Sequence, residues 1–301
     1  MKKNISKKVF FSFICVTFNN NRELFNTLKS LDKQNFKAFE VLIGNGGDPL
    51  NIDDLNSKFS LNIGKLLNKK DKGIYDAMNS LKPYVKGEYI CYLNSGDTLN
   101  NKNVLRQVFE SINKTNNLKY PLVWCSAKFI SDISNVSYLV PDPKKIKIKF
   151  LKNWLFFMHF YICHQACFIR YDFLKNHNYD IENLEADYFL KKILIEHKLG
   201  SLYIPIISTN FFLDGVSSNI NNKNLLFKHF KQLKKYKYSL KILVFVKLLS
   251  KFLIEVLLSN KRHYYKLIKY RLLEYFVLLV SKIYISNKYI VRITRLKLKK
   301  N

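Results

Sequence analysis

Between Val9 and Ile112 the apolar residues switch repeatedly between short, nearly unbroken runs and a helical spacing, and this alternation constrains the fold more than any other feature. Val9 to Val16 reads as a buried strand. Arg22 to Gln34 reads as a helix with Leu24, Phe25, Leu28 and Leu31 on one face, and Phe39 to Ile43 as a second strand. Gly44-Asn45-Gly46-Gly47-Asp48-Pro49 follows as a turn cluster. Asp71 to Tyr84 reads as a loop feeding a helix, Glu88 to Leu93 as a strand leaving through Asn94-Ser95-Gly96-Asp97, and Val104 to Ile112 as a helix. Strands and helices that alternate in this way call for an α/β fold with a mostly parallel, Rossmann-like central sheet.

Ligands of such sheets bind beyond the carboxyl ends of the strands. Thr17-Phe18-Asn19, Asn45-Gly46-Gly47 and Ser95-Gly96-Asp97 all fall at such ends, so three loops are expected to converge on one crevice.

The 301 residues, 48% hydrophobic, support one substantial core with a smaller appendage. The net charge of +29 is uneven: from Lys223 onward 21 Lys and Arg stand against Glu255 and Glu274, so this stretch carries +19 of it. Leu, Ile, Val and Phe fill the spaces between these charges, which favours an anionic membrane surface over nucleic acid. Ile242 to Leu258 is apolar but broken by Lys247, Lys251 and Glu255, a pattern suited to a helix lying in the membrane interface with its lysines snorkelling. Phe276 to Ile285 repeats it more briefly. Packing of these helices on each other or on a partner protein is the alternative. Residues 1–220 are therefore expected to form a catalytic domain and 221–301 a basic amphipathic helical tail.

The N-terminal Met1-Lys2-Lys3 and its apolar run imitate a secretory signal, but no small-residue cleavage site follows. Five cysteines, mostly in strand-like runs, fit a reduced compartment better than a disulfide framework. Cys163, His164 and Cys167 lack the second half of a zinc site.

Asp71-Lys72-Gly73-Ile74-Tyr75-Asp76-Ala77-Met78-Asn79, followed by Lys86-Gly87-Glu88 and Leu93-Asn94-Ser95-Gly96-Asp97, resembles the central signature of the family 2 glycosyltransferases, which have the glycosyltransferase A-type fold. The resemblance extends upstream to Val16-Thr17-Phe18-Asn19, Thr27-Leu28-Lys29-Ser30-Leu31 and Gln34-Asn35-Phe36, and downstream to His164-Gln165, Ala186-Asp187-Tyr188 and Phe211-Phe212-Leu213-Asp214-Gly215-Val216-Ser217. It covers roughly residues 9 to 218 in the family's order.

The resemblance implies that Asp97 binds a divalent cation, Mn or Mg, on the donor diphosphate, although the family's Asp-x-Asp reads Ser95-Gly96-Asp97 here. It assigns the general base of an inverting transfer to Asp187, which the helix after it would equally use as a cap. Asn45 and Asp71 match nucleoside-contacting positions, with Asn45 standing where the family usually has Asp. Thr17, Asn19, Gly73 and Ser95 complete the expected donor site. Asp76 and Asn79, three apart on one helix, are expected to orient Asp71 or the donor, unless Asp76 pairs with Lys72. His164 and Gln165, after the aromatic run Trp154 to Tyr161, are expected to line the sugar or acceptor pocket.

The expected function is transfer of a sugar from a nucleotide-diphosphate donor to a lipid-linked or polysaccharide acceptor in cell-surface glycan biosynthesis, with capsule, lipopolysaccharide and glycoprotein all open as products. The expected place is the cytoplasmic face of the cell membrane, with no nucleic acid partner. A nucleic-acid-binding protein acting through the tail, and an inactive scaffold of the same fold, are the alternatives.

Overall fold

A computed structural model describes residues 8–115, 118–131, 136–143, 162–183, 186–212 and 293–295. The interface-helix segments, the run Trp154 to Tyr161 and Leu213 to Ser217 lie outside these residues, as does nearly all of the basic tail.

The amino-terminal part runs β1 (Phe11–Thr17), α1 (Asn21–Asp32), β2 (Phe39–Asn45), α2 (Ile52–Lys58), β3 (Ile63–Asn68), α3 (Ile74–Leu81), β4 (Tyr89–Tyr92), β5 (Thr98–Leu99) and α4 (Val104–Asn113). It continues through β6 (Leu122–Ser131), β7 (Val136–Val140), β8 (Cys167–Arg170), α5 (Tyr171–Leu174), α6 (Ala186–Glu196), β9 (Ser201–Phe212) and β10 (Ile293–Arg295). Among the described residues ten strands form one sheet, ordered β10-β9-β6-β8-β4-β1-β2-β3, with β5 added on β9 and β7 on β6. Strands β3, β2, β1 and β4 are mutually parallel, while β8 runs antiparallel between β4 and β6.

Every residue of β1, β2 and β4 is buried, because helices cover both faces of this part of the sheet. On one face Phe11, Phe13 and Cys15 pack with Leu24, Leu28 and Leu31 of α1; on the other Ile14 and Leu42 pack with Ala77, Met78 and Leu81 of α3. Gly87 permits the turn into β4 to press on β1: a Cβ there would lie 2.7 Å from the Phe11 carbonyl carbon and the Ser12 nitrogen. All five cysteines are buried and free.

One expectation changes. The expected helical tail includes Ile293–Arg295, which instead pairs as a strand, parallel to Ser201–Tyr203. Ile293 and Thr294 are β-branched, and β9 supplies an edge for them. The long β6–β9 pairing, joining Leu122 to Ser201 and Ile130 to Phe212, was not anticipated from local pattern. Among the described residues no helix is long and apolar enough to cross a membrane.

Candidate active site

Because β3, β2, β1 and β4 are parallel, the loops leaving them share one edge of the sheet. Backbone hydrogen bonds tie these loops together: Gly46 N–H donates to Thr17 O at 3.1 Å, Ser95 N–H to Val16 O at 3.2 Å, and Lys69 N–H to Asn45 O at 3.0 Å. Thr17 is buried, with an Oγ1 that has no hydrogen-bond partner among the described residues. Asn19 takes φ 50°, a left-handed turn that Asn tolerates, and its Oδ1 accepts the Asp48 N–H at 2.7 Å. Gly47 fits because any Cβ would press on the Asn19 backbone nitrogen at 2.6 Å.

Asp71 packs against Gly46, whose missing side chain makes room for the carboxylate, and Asp71 Oδ1 accepts the Gly73 N–H at 2.8 Å. Gly73 takes φ 121° and opens α3. Asp76 Oδ2 accepts the Lys72 backbone N–H at 2.9 Å, so it closes its own turn. Asn45 is committed locally as well. Its Nδ2 donates to Asp48 O and Asn68 Oδ1, and its Oδ1 accepts the Gly47 N–H. Ser95 Oγ donates to Asn20 O at 3.3 Å.

Asp97 is 6% exposed. Its loop is set by Gly96 at φ 98° and by Asp97 N–H donating to Asn94 O. Asp97 does not cap α4; its Oδ1 accepts the Phe212 N–H at 3.1 Å, binding this loop to the end of β9. Burial pushes its carboxyl well above the usual carboxylate range; the Phe212 amide opposes this and nearby Glu23 adds to it. A buried acid beside a second acid is suited to a cation, which would stabilise the ionised form. Among the described residues no group of three or more His, Cys, Asp or Glu could hold a metal, so a cation at Asp97 would take most of its oxygen ligands from a bound diphosphate and water.

A second cluster forms where α3 meets α6. Tyr75, in the first turn of α3, donates its hydroxyl to Asp187 Oδ1 at 3.0 Å across 112 residues of chain. Lys191 donates to Asp187 Oδ2 at 2.9 Å and to Ile162 O at 3.0 Å. Asn79, on the same helix as Tyr75, points elsewhere than expected: its carboxamide makes two hydrogen bonds to the Tyr179 backbone. Tyr179 then stacks near Tyr75 at 5.1 Å and meets His164 Nε2 through its hydroxyl at 3.3 Å. His164 is buried on Tyr92, ring centroids 5.1 Å apart, and burial lowers its pKa to about 4. Gln165 is half-buried and accepts the Cys163 thiol.

The structure thus brings Thr17, Asn19, Asn45, Asp71 and Gly73 to one loop edge, and joins that edge through Tyr75 to Asp187. Sequence reasoning passed over Tyr75, Tyr179, Lys191 and Phe18. Phe18 is 68% exposed immediately after a fully buried strand, a position at which an apolar ring is conspicuous. Tyr75 had a usable signal in its place between Asp71 and Asp76; Lys191 had only its i+4 spacing from Asp187.

Residues 12–176 match the profile of glycosyl transferase family 2, and the chain belongs to that family. Its fold is the corresponding A-type α/β fold. The crystal structure of S. aureus TarS superposes with a TM-score of 0.55 at 16% identity, covering 80% of this chain and 43% of that one. The chain thus spans less than half the length of that protein. TarS 1-349 in complex with UDP-GlcNAc gives 0.57 at 15% identity, covering 80% and 72%. The Pyrobaculum calidifontis mannosyltransferase PcManGT, in complex with GDP-Man and Mn2+, gives 0.52 at 10% identity, covering 75% and 65%. No curated protein matches the sequence.

Proposed function

We propose that this protein is an inverting glycosyltransferase that moves a sugar from a nucleotide-diphosphate donor to a lipid-linked or polysaccharide acceptor in cell-surface glycan synthesis. The observation that carries the reading is the Tyr75–Asp187 hydrogen bond, which joins a part-buried carboxylate to the helix opened by the Asp71–Gly73 turn. The nucleotide-sugar complexes of the two structural relatives support the choice of donor class.

In this reading the nucleoside lies on the loop edge formed by Thr17, Asn19 and Asp71, with exposed Phe18 as an apolar surface beside it. The acceptor hydroxyl donates to the Asp187 carboxylate. As its oxygen bonds to the anomeric carbon from the face opposite the leaving group, the proton passes to Asp187 and the nucleotide departs with the electron pair of the broken bond. Asp97 would hold a divalent cation, Mn or Mg, whose chemistry is to neutralise charge on the diphosphate. The basic tail would keep the protein on the inner face of the cell membrane, raising the effective concentration of lipid-linked acceptors there.

Thermal unfolding with UDP, GDP, CDP or a DNA oligonucleotide, each with and without manganese, tests the donor site. Ligand at a hundred times its Kd stabilises by about 2.7 kcal/mol. A manganese-dependent shift with one nucleotide is the expected result and names the base. A shift with DNA alone would overturn the reading.

A further inference from the structure

Lys191 is an unusual lysine for an amphipathic helix. Its side chain is 4% exposed, and it lies one turn after Asp187, whose side chain is 20% exposed. Its ammonium has two acceptors, Asp187 Oδ2 and the Ile162 carbonyl, at 2.9 and 3.0 Å. Burying an ammonium is costly unless it is paired and hydrogen-bonded, so this site is built around the charge.

Several polar groups among the described residues face the pair. Tyr75 from α3 gives a hydroxyl, and Tyr179 packs beside it with a phenol that burial holds well above its ordinary value. His164, within electrostatic reach of both partners, is kept neutral near pH 7 by burial, its pKa being lowered to about 4. Burial likewise pushes the Cys167 thiol up to about 12 and raises that of Cys163. Burial is the largest influence and opposes the charge on Lys191, yet Asp187, with smaller contributions from Cys167 and Cys163, holds the ammonium above the ordinary lysine value.

We propose that Lys191 is a positioning residue for Asp187: its ammonium orients the carboxylate and offsets its burial, so that Asp187 stays ionised and able to accept a proton at and below neutral pH. The inference rests on the reading of Asp187 as the base. Tyr75 donates to Oδ1 and Lys191 to Oδ2, so the two donors hold the carboxylate from both of its oxygens. Lys191 itself neither gains nor loses a proton in the step. An opposite charge within hydrogen-bond distance lowers a carboxylate pKa by about 1 to 3 units, and removing the ammonium removes that contribution.

The experiment follows the Asp187 carboxyl by carbon-13 NMR in the full chain, assigned by its loss in D187N, alongside pH profiles of nucleotide release from UDP-GlcNAc and GDP-mannose. In wild type the carboxyl is expected to titrate at or below about 4, the ordinary aspartate value. In K191M, which keeps the apolar stem, the titration and the acid limb of kcat are expected to rise by about 1 to 3 pH units with donor KM unchanged, while K191R keeps both near wild type. A wild-type midpoint above about 5 overturns the proposal without any variant. An unmoved limb in K191M with an inactive D187N overturns the role of Lys191 alone. Undiminished release by D187N overturns the base assignment, and the role of Lys191 with it.

Discussion

Asn79 and Tyr179 hold each other by two hydrogen bonds of 2.9 Å: the Asn79 amide donates to the Tyr179 carbonyl, and its oxygen accepts the Tyr179 N–H. A side chain here does the work of a strand neighbour, fixing a segment otherwise without regular structure. Tyr179 in turn packs on Tyr75 and His164, so the clamp reaches both flanks of Asp187. N79A is expected to cost about 2 kcal/mol, the value of two such bonds with a stranded carbonyl and amide. Urea unfolding measures the loss. Turnover should fall more than nucleotide affinity, because the clamp lies on the Asp187 side.

Asp187→Asn keeps the shape and the Tyr75 contact but removes the proton acceptor. Transfer is expected to fall by about a hundredfold or more, with metal-dependent nucleotide binding near wild type. Collapse of binding as well would assign Asp187 a structural role, through its pairing with Lys191.

Two glycines at the loop edge resist substitution for different reasons. In G47A the new methyl meets backbone, the Asn19 nitrogen at 2.6 Å, which cannot step aside without moving the β1 loop. A loss of about 1–3 kcal/mol and a weaker nucleotide-induced thermal shift are expected. In G73A the methyl meets nothing within 4 Å, and the cost, about 1 kcal/mol or more, comes from φ 121° alone. Comparing the two by urea midpoint and nucleotide titration separates collision from torsional strain.

His164 predicts an acid-sensitive fold. Burial, opposed by Asp187 and aided by Lys191, lowers its pKa from 6.5 to about 4. Between those values the unfolded imidazole binds a proton that the folded one does not, so stability is full above pH 6.5 and declines as pH falls towards 4. The slope is about 1.4 kcal/mol per pH unit and the total about 3 kcal/mol. H164F, which keeps a ring on Tyr92 but does not titrate, should flatten urea midpoints between pH 7 and 5; an unchanged slope would contradict this account.

The tail reading concerns residues 221–301 and is tested with the full chain. The protein should sediment with vesicles containing anionic phosphatidylglycerol and be released by salt, since surface charge attraction is screened within about 10 Å at 0.1 M. K247E/K251E should weaken sedimentation and leave the nucleotide-induced thermal shift unchanged. Equal sedimentation with neutral vesicles would argue against the electrostatic role.

Much of the loop edge was legible beforehand. The strands near Val9–Val16, Phe39–Ile43 and Glu88–Leu93 were recognisable because a strand covered on both faces reads as a continuous apolar run. The helix of Leu24, Leu28 and Leu31 declared itself by spacing, and the Gly-Asn-Asp clusters marked the turns between. Strand β3 was less legible: Ile63–Asn68 includes Gly64 and Lys65 and is only half-buried at the sheet edge, which blurs the pattern. Asn45 was read as a nucleoside contact and Asn79 as orienting Asp71 or the donor. The structure gives the first to its own turn and the second to Tyr179.

Local chemistry by itself determined where strands end, where turns fall and which carboxylates stand beside them, because periodicity and turn preference act over a few residues. Tertiary structure alone decided what those side chains do. A buried polar group must find partners, and the partners of Asp187, Asp97 and Lys191 include Tyr75, Phe212 and Ile162, the first two more than a hundred positions away and the third on another segment. A lysine on a helix reads as solvated until the fold closes a carboxylate and a carbonyl around it.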